Sequence, residues 1–308
     1  MYDTNSSKNI FLKLMPLWVM LCGVLWGLSG VLGQMVFESS NCTSAFLTSV
    51  RMIMAGLLLL IYLLITDRKS IVVVMKEPKW IISVIIFAYL GIAGMQYTYF
   101  LSIKYSNAST GTVLQYIYPV IVIIWTSIST RKLPNKLEVV AIICALIGIF
   151  LVSTHGDITS LKISPLALIW GIISAFAFTF FTVYPEKLYK NFNQAAVLMW
   201  AFLIGGVTLF VCSGSFMSLA DTSAKSYFLI ILIAILGTII PFLLYGKGVM
   251  ALGSVKCSLL VTIEPVASAV MTYFFTDTKF TVFDIIGCIF ILVAVQISTI
   301  GIKNHQQK

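Results

Sequence analysis

Charge is what this chain has least of. Only 10% of its 308 residues are charged, while 59% are hydrophobic; a soluble domain carries roughly 25% charged residues. Such an apolar excess cannot be hidden in one soluble core, so the solvent for most of the chain is the bilayer. Histidine is nearly missing. The two present, His155 and His305, fall in loops and supply neither a nucleophile–base pair nor a metal cluster, which argues against a membrane enzyme. The six cysteines, at 22, 42, 144, 212, 257 and 288, have no metal-binding spacing. Most lie in apolar runs, where a thiol acts as a small apolar side chain. Cys42 and Cys212 both fall near outer span ends, which leaves a disulfide between them open. A phosphate loop is also missing, because Gly246-Lys247-Gly248 lacks the upstream glycine spacing and a following Ser or Thr. The loops are too short for a nucleotide-binding domain. ATP hydrolysis is thereby excluded, and no cofactor or metal is expected.

What is present is a series of apolar runs. Ten of them, at 14–36, 43–66, 80–103, 107–128, 137–154, 164–186, 194–212, 227–250, 254–275 and 282–302, match the ~20 residues needed to cross ~30 Å of hydrocarbon. The first follows Lys8 and Lys13 like a signal peptide, but it is too long and lacks a small-residue cleavage site. The net charge of +9 is not a nucleic-acid footprint, since no basic segment interleaves with aromatics. With the N-terminus in the cytoplasm, fifteen Lys and Arg outside the spans or within three residues of their ends fall on the cytoplasmic side and four on the other. That asymmetry predicts both termini inside, with the basic face against an anionic leaflet; the membrane expected is a bacterial plasma membrane.

The runs repeat. Residues 90–154 lie over 236–300 without a gap at an offset of 146, placing Leu90-Gly91 on Leu236-Gly237, Tyr99 on Tyr245, Pro119-Val120 on Pro265-Val266 and Thr126 on Thr272. The fold class expected is an all-α polytopic membrane protein, with ten transmembrane helices arranged as two inverted five-helix repeats. Five spans per half make the second copy enter from the opposite side, with a path at the interface near mid-bilayer. The segments are a tail at 1–13, a first repeat at 14–154, an extracytoplasmic linker at 155–163, a second repeat at 164–302 and a tail at 303–308. Gly23, Gly27 and Gly30 share a face of the first span, and Gly171, Ser174 and Ala175 that of the sixth. Both faces suit close helix packing in lipid, static or sliding.

Two charges lie deep in spans, where each is costly and commonly functional. Arg51 sits about 12 Å from the outer end of the second span, and Glu264 about 15 Å from the inner end of the ninth, at 1.5 Å per residue. Equal depth allows a direct or water-bridged pair, either a permanent fastener or a substrate site; snorkelling of Arg51 is a further alternative. Glu264-Pro265 and its mate Tyr118-Pro119 mark helix breaks at Pro265 and Pro119. Paired breaks point to a transporter's binding site, although a plain kink is the alternative. Asn107, Gly111, Gln115 and Tyr118 form a polar stripe on one helical face. Gln96 and Tyr99 add another. All five polar side chains are cavity candidates, with helix–helix hydrogen bonding as the competing role. Trp18 and Trp80 suit the membrane interfaces. Trp26 and Trp200 fall mid-span, where the indole N–H wants a partner, and Trp26 has the glycine face beside it.

The run ALGSVKCSLLVTIEPVASAVMTYFFTDTKFTVFDIIGCIFILVAV at 251–295, with Leu25-Trp26-Gly27, Arg51 and YSNASTGTVLQYIYPV at 105–120, resembles the EamA-type transporters of the drug/metabolite transporter superfamily. The similarity extends over about 17–300. It implies a ten-helix inverted-repeat fold and metabolite movement, often export of amino acids or related small molecules. Where the family commonly has Gly-Glu after the fourth and ninth spans, this chain has Thr130-Arg131 and Asp277-Thr278, so a switching role for those acids does not carry over. The function expected is a secondary transporter, an exporter by the resemblance, of a small polar or zwitterionic metabolite such as an amino acid or amine. It would work by alternating access, with protons as a candidate coupling ion at Glu264. The alternative is a carrier of cationic or quaternary-ammonium compounds held by aromatic faces. From another class, a structural or sensor protein without flux is disfavoured by the near-absence of extramembrane domains. The partners are a small-molecule substrate and lipid; the sequence sets no oligomeric state.

Overall fold

The computed structural model describes residues 13–106, 108–157, 159, 164–215, 223–275 and 281–306; Asn107 and Asp277-Thr278 lie outside the described residues. Among the described residues the chain is all helix and loop. In order come α1 (Met15–Ser39), α2 (Ser44–Thr66), a short α3 (Arg68–Val73), α4 (Pro78–Lys104), α5 (Ala108–Gln115), α6 (Tyr118–Thr130) and α7 (Lys136–Thr154). The second half has α8 (Pro165–Val183), a short α9 (Glu186–Asn191), α10 (Gln194–Cys212), α11 (Ala224–Leu252), α12 (Ser254–Leu260), α13 (Glu264–Phe275) and α14 (Val282–Gln306). Seven helices among the described residues are long and apolar enough to cross a membrane. The remaining runs, at 137–154, 254–275 and 282–302, are helical too, the middle one in pieces.

The helices begin where a polar residue precedes an apolar run. Thr43 accepts from Phe46 N at 3.1 Å, Ser164 from Ala167 N at 3.1 Å and Ser223 from Ser226 N at 3.1 Å. Each hydroxyl satisfies an N–H that the helix leaves orphaned. Asn135 and Glu138 form a capping box on α7, and Thr281 and Asp284 exchange the same pair of bonds at the head of α14. Asp284, 1% exposed, also binds His155 Nδ1 at 2.8 Å, tying the linker to α14. The run expected at 164–186 is helical over Pro165–Val183, turns at Tyr184-Pro185 and continues into α9. Cys42 and Cys212, left open as a disulfide, are both free.

Two kinds of irregularity recur at matched places. Widened π-helical turns occupy Phe87–Ala93 in α4 and Ile235–Ile239 in α11. The fourth run breaks at Tyr116-Ile117, and a 3-10 turn at Val261–Ile263 separates α12 from α13. Pro119 and Pro265 each sit second in the helix that follows the break, where a missing N–H costs nothing. The expected breaks are there, each ending two residues before its proline.

Packing crosses between the halves reciprocally. α1 lies against α11 and α13, as α8 lies against α4, α5 and α6; α2 runs along α10, and α7 along α14. Small residues set these distances. A Cβ on Gly27 would meet the Glu264 carbonyl oxygen at 2.9 Å and Ser268 N at 3.0 Å, and one on Gly148 the Gly287 carbonyl oxygen at 2.6 Å. Backbones this close gain dispersion energy that lipid-facing side chains cannot supply. The glycine face of α1 is thus spent on the broken helix that carries Glu264.

Candidate functional site

The reciprocal contacts leave a narrow cavity between α1, α2, α4, α5, α8, α11 and α13. Trp26, Arg51, Gln96, Tyr99, Gln115 and Glu264 all line it. As it stands it has room for a few water molecules. Polar side chains on the wall are held from neighbouring helices. Gln115 donates to Ser174 Oγ at 2.6 Å, which in turn donates to the Met95 carbonyl at 3.2 Å. The Tyr99 hydroxyl meets Thr112 Oγ1 at 3.1 Å. Trp26 is set edge-on to Phe178 and Phe242, with centroids 5.5 and 5.7 Å away.

Arg51 and Glu264 share the cavity but do not pair. Arg51 is 5% exposed and Glu264 also 5%. The guanidinium donates to the Gln96 side-chain oxygen and to Ser29 Oγ at 3.4 Å, with Phe100 4.9 Å beneath it. Among the described residues no carboxylate lies within ion-pair distance of it. Because guanidinium only donates, Gln96 must present its oxygen there, and its Nε2 is left without an acceptor. Arg51 Nε is also buried and unpartnered. An unmet buried donor costs about 1–3 kcal/mol, more on a charged group. Glu264 instead accepts from the Tyr116 hydroxyl at 2.8 Å, and that hydroxyl also reaches the Val261 carbonyl at 3.0 Å.

Two further residues singled out in the sequence face elsewhere. Tyr118 is fully buried; its hydroxyl donates to the Ser258 carbonyl at 3.1 Å and its ring stacks on Phe178 at 3.9 Å. Trp200 donates its indole N–H to the Ile71 carbonyl at 2.9 Å, pinning α10 to α3. Sequence reasoning passed over Tyr116, Ser29, Phe178 and Phe242, and read Ser174 only as a packing residue. Tyr116 lies off the stripe of an unbroken helix, and only the break at 116–117 aims it at Glu264. The conspicuous signal for it was the matching Glu264-Pro265 break in the other half.

A helical membrane bundle with matched breaks around a buried polar cavity is the architecture of a transporter. The family can be stated as well. The chain belongs to the EamA-like transporter family, whose description matches residues 13–154 and again residues 165–300. It is 37% identical over 280 residues to an uncharacterized inner membrane transporter, YicL, of Salmonella typhimurium, covering 90% of this chain and 92% of that protein. It is 25% identical over 251 residues to an uncharacterized transporter, YyaM, of Bacillus subtilis, covering 79% and 80%. A solved crystal structure of a protein shares the fold with a TM-score of 0.72 at 14% identity, over 95% of this chain and 98% of that one. The chain is an integral membrane transporter and not an enzyme.

Proposed function

We propose that this transporter moves a small zwitterion, an amino acid or a related amino compound, through the cavity between Arg51 and Glu264. The observation that carries the reading is a buried cation and a buried carboxyl on one cavity, unpaired with each other, with Arg51 Nε and Gln96 Nε2 both lacking acceptors. A substrate carboxylate would meet those donors, its amine would meet Glu264, and Trp26, Phe178 and Phe242 would cover the apolar part. A permanent fastener would have closed the ion pair. The narrowness of the cavity suits an occluded stage of alternating access, and the glycine contact of α1 with α13 suits a sliding surface. The ten runs form two inverted five-helix repeats, 14–154 and 164–302, a reading supported by the reciprocal packing and by the matched breaks. Both termini face the cytoplasm, as the Lys/Arg asymmetry supports, and the membrane is the bacterial inner one, as for the Salmonella relative. Export is the direction, with Glu264 as the group that carries a coupling proton in the part of the cycle when no substrate amine occupies it.

Thermal unfolding of the purified protein across a metabolite panel tests this. Amino acids should stabilise the wild type, while their amides and the corresponding amines should not. Stabilisation by quaternary ammonium compounds, retained in Arg51→Ala, with none by amino acids, would overturn it in favour of a cation carrier.

A further inference from the structure

Behind the cavity, on the lipid side of α4, α6 and α8, runs a second hollow of a different character. Its walls are almost wholly apolar, with Trp125 (54% exposed) and Phe176 (59% exposed) as rims and the small residues Gly94 and Ala177 as its floor. The π-helical turn of α4 contributes Tyr89 and Leu90 to its wall, and Gly94 follows on the same helix. Along α8 it extends from Ile173 to Tyr184, roughly 16 Å at about 1.5 Å per residue. That is about half of the ~30 Å hydrocarbon layer, the depth of one leaflet.

The end of the hollow carries an excess of positive charge, since Glu186 beside it is already paired with Lys190. α6 runs from Trp125 into Arg131-Lys132, and α8 passes Tyr184 to reach Lys187. All three cations are exposed, and no ion pair of theirs is found among the described residues. We propose that the hollow is a binding site for one anionic phospholipid, an acyl chain lying in the groove and the headgroup held by Arg131, Lys132 and Lys187. Length, apolarity and terminal charge all match that one molecule. A second copy of the chain fits less well. A two-fold axis along the membrane normal would bring the like ends of two grooves together, setting these cations against their copies. The lipid would sit against the reverse side of the wall that presents Met95 and Phe178 to the cavity, one residue along from Gly94 and Ala177.

Native mass spectrometry of the full chain with phosphatidylglycerol and phosphatidylcholine of identical acyl chains tests the site. A single phosphatidylglycerol should bind roughly a hundredfold more tightly, the combined effect expected of three near-surface cations. Ile173→Trp should fill the groove and abolish that bound lipid. Arg131→Gln, Lys132→Gln and Lys187→Gln together should remove the preference and leave weak binding of either lipid. Equal affinity of the wild type for the two lipids would overturn the proposal. So would an Ile173→Trp protein that keeps the preference, or a dimer that Ile173→Trp dissociates without changing lipid binding.

Discussion

Arg51 is the residue on which the reading of the cavity turns. Its guanidinium is buried against Gln96, Ser29 and the Phe100 ring and faces no carboxylate among the described residues. Removing it therefore orphans no buried anion, which is the circumstance that makes broken ion pairs so damaging. Arg51→Ala should fold and insert normally, yet lose substrate affinity by roughly 10- to 100-fold, the worth of a charge-assisted hydrogen bond. Thermal unfolding with and without substrate measures both halves of that expectation. Arg51→Lys should not rescue, because an ammonium cannot serve Gln96 and a substrate carboxylate with the same fork. Glu264 makes the complementary case. Glu264→Gln keeps the size and the contact with Tyr116 but holds no exchangeable charge. In proteoliposomes it should retain substrate exchange and lose accumulation driven by a pH gradient. Wild-type flux indifferent to an imposed gradient would leave Glu264 as a binding group.

Among the elements, the contact of α1 with the broken pair α12–α13 is a backbone-to-backbone constraint beside the cavity. Both Gly23 and Gly27 face backbone there, and a Cβ on Gly23 would stand 2.8 Å from the Val261 carbonyl oxygen. Gly27→Ala should push α1 away from Glu264 and lower stability by about 1–3 kcal/mol, the usual cost of overpacking. Transport should fall further than stability does, since the displaced backbone is that of Glu264 itself. A Gly27→Ala protein with unchanged unfolding temperature and unchanged flux would show that the helices part easily. The breaks of these elements were legible beforehand because they rest on local chemistry: a proline inside an apolar run has the same meaning in any context.

Across the whole molecule, the orientation of the chain has a direct check. Single cysteines at Lys69 and Asp157, placed in a background without the six native thiols, should react with an impermeant reagent from opposite sides. Labelling of both from outside would invalidate the ten-crossing topology. The long apolar helices and the internal repeat could be read from the sequence, since run length and offset are one-dimensional quantities. The cavity could be read only in part. Equal depth put Arg51 and Glu264 at one level of the bilayer, but depth says nothing of azimuth, and they turn out to share a cavity without touching. Tyr118 and Trp200 have suitable depth and face away from it. Tyr116 was hidden because the stripe of polar residues was projected onto an unbroken helix, whereas the chain turns at 116–117.

The π-helical turn in α4 has a further consequence, one of phase. Tyr89 and Gln96 are seven residues apart, two turns of an α-helix, and on an unbroken helix would point the same way. Instead Tyr89 lines the lipid-side hollow and Gln96 the central cavity. The extra residue wound into the π turn acts as a delay of about 100°, one residue's rotation. Winding the same residues as a regular α-helix, with none removed, would leave the composition unchanged and the helix apolar enough to cross the membrane. It would nevertheless swing Gln96 and Tyr99 round toward the hydrocarbon, so the winding of this one turn decides which solvent the second half of the helix faces.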